Sequence, residues 1–215
     1  GRLQSCEPAT VNREITYLKA CLNMAMKYEM IETNPISGVS NLKESNHRDV
    51  GLTVQQLGVL VNNCPDWIHD VVNVAFYTMM RRGEILGITQ SNVDLKEWKI
   101  TIPAELAKNG ESRVVPIPDI IRPIFIAQKR LFALERIFSI NGYSVSYFQK
   151  TFSEAVKRSQ LGDFHFHDLR HASAQFWHEQ GVKVEDLMVI GGWSSFDMLK
   201  RYLFNKNKAL NVKFG

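Results

Sequence analysis

The sequence predicts a mainly α-helical chain carrying one small antiparallel β-sheet, an α+β fold. Apolar residues recur at helical spacing over most of the chain, whereas β-favouring runs with turn chemistry between them are confined to the stretch from Trp98 to Pro118. Size sets a third bound. With 215 residues, 45% of them hydrophobic, the chain can bury a real core in one domain or two.

Taking the elements in order, Val11, Ile15, Leu18, Leu22, Ala25 and Met26 share a helical face from Pro8 to about Glu29, and a proline is tolerated in a first turn. Asn34-Pro35 ends that helix, and Gly38 to Val50 reads as a polar linker with little to bury. A single helix cannot close a core of its own. Residues 1–45 are therefore expected to be the C-terminal part of a larger helical module plus a linker, and residues 46–215 a second domain with a C-terminal tail. Thr53-Val54-Gln55-Gln56 is a capping-box pattern that starts a helix to about Asn63. A second helix runs from Asp66 to about Met80, with Arg81 to Leu86 continuing or restarting it. Residues 99–102 and 113–117 are β-favouring, and Lys108-Asn109-Gly110-Glu111 supplies a turn between them. Helices resume over about 119–133, 144–158, 167–180 with Gly181 as a stop, 184–190 and 195–204.

A formal charge of +4 and a pI near 8.9 fit a polyanionic partner without requiring one. Distribution says more than the total. Residues 1–45 carry five bases and five acids, so the whole excess, 21 bases against 17 acids, lies beyond residue 45. No acid follows Asp197, whereas Lys200, Arg201, Lys206, Lys208 and Lys213 do, a tail that reads equally as a solvated terminus or as a phosphate contact. Cys6, Cys21 and Cys64 have no C-x-x-C spacing, which points to neither a disulfide framework nor a zinc site and makes a reducing cytoplasm the default location. The longest mostly apolar stretch, Val71 to Met80, is too short to span a bilayer, and the N-terminus has no signal-peptide pattern. The chain opens without an initiator Met on a helix-like run, which reads as a fragment or processed chain.

The candidate site residues are scattered. Arg170 follows His167 by three positions, so on a helix both project from nearly one face and can reach one phosphate. Arginine suits that task because its planar fork donates to two non-bridging oxygens and stays charged. The plainer reading is that His167 caps the helix and Arg170 pairs with Asp168 or another acid. Arg81 precedes Glu84 by three, a spacing for a helical ion pair that would hold the guanidinium in place, and that in isolation reads as a weak surface pair. Arg82 is the competing neighbour. Lys108 reads either as a solvated turn lysine or as one able to swing toward a substrate. Trp193, after Gly191-Gly192, reads as core filling or as an indole N–H donor to a phosphate oxygen, and Tyr202 as a nucleophile or as an amphipathic core tyrosine beside Leu199 and Leu203.

Jointly these stretches resemble the tyrosine recombinase (phage integrase) family. The resemblance is carried by Thr78 through Leu86, by the Lys108 hairpin ending Arg113-Val114-Val115-Pro116-Ile117, by His167-Asp168-Leu169-Arg170-His171, and by Gly191 through Tyr202 with its nine-residue interval from Trp193 to Tyr202. It spans roughly Leu52 to Phe204, and Ala9 to Pro35 looks like the end of the helical core-binding module that precedes the catalytic domain in this family. The resemblance implies catalytic roles for Arg81, Lys108, His167, Arg170 and Trp193, with Tyr202 as nucleophile. Trp193 stands where most members carry histidine, and Met79 where glycine is usual before the first arginine. The family's chemistry implies a 3′-phosphotyrosyl intermediate formed without metal, ATP or other cofactor. It also implies double-stranded DNA attachment sites as partners, a homotetramer on synapsed DNA, accessory DNA-bending proteins, no membrane, and a cytoplasmic bacterial or phage-encoded protein.

Three other readings compete. His165, His167 and His171 cluster as in a metal-dependent hydrolase, although no H-E-x-x-H pattern is present. A non-catalytic DNA-binding protein on the same fold is the second, and a type IB topoisomerase, which shares the chemistry without exchanging partners, is the third.

Overall fold

The computed structural model describes residues 5–44, 51–131, 136–138 and 145–203, the side chains of residues 129–131, 145–147, 201 and 202 excepted. The chain divides into two compact units, Gly1–Arg48 and Asp49–Gly215.

The first unit is built on α1 (Pro8–Lys27), whose proline sits in the first turn, where its missing N–H leaves no bond unmade. The helix stops two residues short of the sequence expectation because Glu29 turns left-handed, at φ 56°, and the Met30 N–H closes back on the Ala25 carbonyl at 2.9 Å. Asn12 is the one buried residue of α1, so this helix closes no apolar core among the described residues. Its amide binds the returning chain instead. Nδ2 donates to the Leu42 carbonyl (2.9 Å) and to Glu44 Oε1 (2.6 Å), while Oδ1 accepts the Leu42 N–H at 2.7 Å. Lys19 Nζ donates to the carbonyls of Ser37 (3.0 Å) and Val39 (2.6 Å), and Asn34 Nδ2 donates to the Lys19 carbonyl (3.3 Å) and to Asn23 Oδ1 (2.7 Å). The polar linker expected from Gly38 is fastened to α1 as far as Glu44 by polar bonds, which an apolar pattern does not register. Residues 45–50 of that linker lie outside the described residues.

The second unit opens on the predicted capping box. Thr53 Oγ1 accepts the Gln56 N–H (3.2 Å) and the Thr53 N–H donates to Gln56 Oε1 (2.9 Å), starting α2 (Val54–Asn63). Next comes α3 (Asp66–Thr78), the central helix, with Ile68, Val71, Val72, Val74, Ala75 and Phe76 all buried. It ends at Met79, whose φ of 56° breaks the helix, and after the extended Arg81 the chain restarts as α4 (Arg82–Gly87). The sheet follows in the order β1 (Val93–Asp94), β2 (Lys99–Ile102), β3 (Arg113–Pro116), all antiparallel. The two-residue β1 was too short for a period-two signal. It is made by Asp94, whose Oδ1 accepts the N–H groups of Lys96 (2.9 Å) and Glu97 (3.0 Å), with Trp98 at φ 50° completing the return. The remaining helices are α5 (Arg122–Leu131), α6 (Val145–Arg158), α7 (Asp168–Glu179), α8 (Val184–Gly191) and α9 (Phe196–Leu203).

The main core gathers α2, α3, α6, α7 and the inner face of the sheet, where Ile100, Ile102 and Val115 are fully buried. Aromatic rings interlock there, Phe166 lying 5.1 Å from Phe148 and 5.3 Å from Phe152 between centroids. A smaller second cluster holds α7, α8 and α9 together through Met79, Ala174, Leu187, Trp193, Leu199 and Leu203. Cys64 is core filling, its thiol pushed up to about 11 by burial against a smaller opposing effect of Arg158. No helix among the described residues is long and apolar enough to cross a membrane.

The strap on α1 is testable. Replacing Asn12→Leu is expected to speed amide exchange at Leu42 at least about tenfold and to destabilise the unit by roughly 1–3 kcal/mol, the cost of stranding its partners. Unchanged protection at Leu42 would show that the strap is held by something else.

Candidate active site

Glu84 is a carboxylate with 1% of its surface exposed, and every lone pair of it is used. Oε1 accepts from Arg81 Nη1 (2.9 Å) and Arg113 Nη1 (3.0 Å), and Oε2 from Arg113 Nη2 (2.6 Å) and the Arg81 backbone N–H (2.7 Å). Burial by itself raises the Glu84 pKa, but the hydrogen bonds and charge of Arg113, then the bonds from Arg81, outweigh it and hold the carboxyl below its ordinary value. The Arg81–Glu84 spacing read from the sequence as a weak surface pair is thus a buried one, and a third residue completes it. Arg113 had been read only as the start of a β run. It alternates with Val115 and Ile117, all three buried while Val114 and Pro116 are exposed, so its charge faces inward; Val114 and Pro116 are themselves apolar, and the sequence carries no alternation that marks the inner face.

Both arginines also close the end of α8. Arg113 Nε donates to the Ile190 carbonyl (2.8 Å) and Arg81 Nη2 to the Gly192 carbonyl (3.2 Å), carbonyls that a helix C-terminus leaves without intrahelical partners. Gly192 turns the chain left-handed at φ 68°. Gly191 is required for another reason: a Cβ there would meet the Trp193 ring at 1.9 Å. Trp193, 7% exposed, lies under Arg170 with 3.9 Å from the guanidinium carbon to the ring centroid, a cation–π contact. Arg170, 2% exposed, donates from Nη1 to the Met79 carbonyl at 2.6 Å. The left-handed Met79 therefore aims a carbonyl at the second arginine. His167 makes no side-chain cap bond to α7, and the Asp168 carboxylate accepts the His165 N–H at 2.7 Å.

These groups surround one open cleft of about 520 Å³, lined by Arg81, Lys108, Asn109, His167, Arg170, His171, Gly192, Trp193, Ser194 and Met198. Five of the six sequence candidates line it. The sixth, Tyr202, belongs to α9, but its side chain lies outside the described residues, as do Lys206, Lys208 and Lys213 of the basic tail. Arg82 lies instead over the Phe148 ring, 5.8 Å from its centroid, and does not line the cleft. Asn109 and Ser194 are lining residues to which the sequence reading gave no role at a site, and His171, read there only as one of the histidines of the hydrolase alternative, lines the cleft too. Lys108 is exposed, on the segment between β2 and β3. The His167 pKa is lowered, first by burial and then by Arg170, with Arg81 and Lys108 adding to the effect and Asp168 opposing it, so the imidazole is neutral near pH 7. His171 sits edge-on to it, 4.8 Å between centroids, and burial with the charges of His167 and Arg170 drops its pKa to about 3. Among the described residues no group of three or more His, Cys, Asp or Glu is placed to hold a metal ion.

A model described as the phage integrase family matches residues 51–208 of the chain. The chain belongs to the phage integrase family. Relatives include a shufflon-specific DNA recombinase of Escherichia coli, 30% identical over 198 residues that cover 90% of this chain and 50% of that protein. The integrase of Salmonella phage P22 is 27% identical over 208 residues, 90% of this chain and 53% of its own length. The chain spans about half the length of the curated relatives it matches. Among solved structures, a lambda integrase dimer bound to a COC′ core site superposes with a TM-score of 0.79 at 18% identity, covering 97% of this chain and 63% of that one. The phage integrase fold is thus the mainly helical architecture with one small antiparallel sheet that the sequence predicted.

His171 sets a stability test. Protonating it costs more in the folded protein than in the unfolded chain, so its contribution is complete above the ordinary histidine value of 6.5 and is lost as pH falls toward about 3. The variant His171→Asn is expected to lose less thermal stability than the parent between about pH 7 and pH 4. Parallel melting curves over that range would contradict the assignment.

Proposed function

We propose that this integrase-family chain cuts and rejoins DNA strands through a covalent 3′-phosphotyrosyl intermediate, without metal or ATP, as part of a site-specific recombinase. The observation that carries the proposal is the convergence of two arginines, a neutral histidine, a lysine and a tryptophan on a single open cleft, in a chain whose family is established. Such a set can neutralise a phosphate and move protons around it with side chains alone.

Tyr202 would attack the scissile phosphorus in line, forming the phosphotyrosyl ester and releasing a 5′-hydroxyl. Ester chemistry is conserved through the step, so rejoining needs no external energy. Arg81 and Arg170 would stabilise charge growing on the non-bridging oxygens, and both are held in advance by fixed partners, which is the condition for a large electrostatic effect. A phenol with a pKa near 10 is a poor nucleophile at neutral pH, so His167, itself neutral there, would take its proton. Lys108 would protonate the departing 5′-oxygen from its exposed segment. Trp193 would support Arg170 from below and offer its indole N–H to the phosphate.

The N-terminal unit is proposed as the end of a DNA-binding core module, double-stranded attachment sites as the substrate, and a homotetramer with accessory DNA-bending proteins as the working assembly. The superposing structures include a lambda integrase dimer bound to a core site and a lambda integrase tetramer bound to a Holliday junction, which supports that reading. Affinity is expected to rest on phosphate contacts and to fall steeply with salt.

Incubating the protein with sheared genomic DNA in EDTA and denaturing it is expected to retain protein-linked fragments, and Tyr202→Phe to abolish them while sparing DNA binding. Capture that persists in Tyr202→Phe would remove Tyr202 as the nucleophile. Strand cleavage that requires a divalent metal and leaves no protein-linked fragment would favour the hydrolase reading. Binding without capture would favour a non-catalytic protein on this fold, and relaxation of supercoils without exchange of two marked sites a topoisomerase.

A further inference from the structure

Arg113 is buried, at 9% exposure, and does not line the cleft, yet it binds Glu84 through two side-chain N–H groups, at 2.6 and 3.0 Å. Its two parallel N–H groups take both carboxylate oxygens, whereas the Arg81 guanidinium touches only Oε1. The charge balance of the three follows. Two cations share one anion, the fork of Arg113 compensates that anion at both oxygens, and the uncompensated positive charge is the one on Arg81, at the cleft. With a lone Arg81, a carboxylate this buried would draw the guanidinium into its own two-bond pairing, because an unpaired buried charge is costly. The cleft would then hold a neutral pair where it now presents a cation.

We propose that Arg113 is a positioning residue that serves as the counter-charge of Glu84 and thereby leaves Arg81 available to a bound phosphate. The placement gives it a second hold on the same group. Through Nε it fixes the Ile190 carbonyl, two residues before the Gly192 carbonyl that Arg81 itself binds, and through β3 it anchors one end of the segment carrying Lys108. One buried side chain thus joins the three segments that bring Arg81, Lys108 and Trp193 to the cleft. The inference rests on the phosphate-binding part of the proposed function and not on strand cutting.

The test measures the affinity of inorganic vanadate, a tetrahedral phosphate analogue, by calorimetry on the full chain, with thermal melting of each variant alongside. Arg113→Met is expected to weaken vanadate binding about tenfold or more, since it converts a cationic wall to a neutral one. Arg113→Lys keeps the charge and is expected to retain most of the affinity. The deciding variant combines Arg113→Met with Glu84→Gln. Removing both charges restores the unbalanced Arg81, and most of the lost affinity is expected to return, which a role in packing alone would not produce. Unchanged affinity in Arg113→Met, no recovery in the double variant, or no vanadate binding by the parent would each overturn the proposal. Should Arg113→Met not fold, the double variant still decides, by binding vanadate or failing to. Parallel covalent capture on genomic DNA keeps the two ideas apart: the expected vanadate ranking with no capture by the parent would sink strand cutting and leave the charge balance standing.

Discussion

A single buried carboxylate governs the arrangement of this molecule's cleft. Glu84 is almost completely removed from water and is stable as an anion only because four donors from two arginines surround it. Breaking such a pair by removing one partner typically costs about 3–5 kcal/mol, since the charge left behind has no solvent to turn to. The two arginines spend their further N–H groups on the final carbonyls of α8 and the turn after it. The start of α4, strand β3 and the end of α8 are therefore tied at one point, although 29 residues separate Glu84 from Arg113 and 77 more separate Arg113 from Ile190.

Around that point the backbone takes conformations that most residues avoid. Met79 adopts a left-handed φ without being glycine, and Gly192 does so where glycine permits it. Each directs a carbonyl at an arginine: Met79 at Arg170, Gly192 at Arg81. The apolar cluster of Met79, Leu187, Trp193, Leu199 and Leu203 lies beneath and holds both turns against α7 and α9. The arginines thus sit on a packed floor, whereas Lys108 projects from an exposed segment. That contrast would suit the two tasks proposed for them: charge stabilisation gains from fixed donors, and proton delivery needs a group that can move.

Much of this was legible in the sequence, for identifiable reasons. Helices with a clear apolar face, a capping box at Thr53 or a glycine stop at Gly181 were located to within about three residues, because local patterns specify them. The cleft residues Arg81, Lys108, His167, Arg170 and Trp193 were each ambiguous alone and became legible only through the joint resemblance to the tyrosine recombinase family. Contacts that depend on distant partners were not. Nothing near Glu84 announces that it is buried, and its second arginine arrives from β3. The strap along α1 was missed because Asn12 binds it through hydrogen bonds rather than apolar contact. Strand β1 was missed because two residues carry no period. Arg113 was missed because the four residues after it are all apolar, so no alternation in the sequence shows which face of β3 turns inward.

We propose phosphoryl transfer to a tyrosine as the chemistry of this cleft. It is tested most directly by digesting DNA-linked protein, formed in EDTA, with nuclease and protease and mapping the adduct by mass spectrometry. Attack by Tyr202 would leave a nucleotide joined through its 3′-phosphate to the peptide that contains Tyr202. An adduct on any other residue, or one joined through a 5′-phosphate, would contradict it.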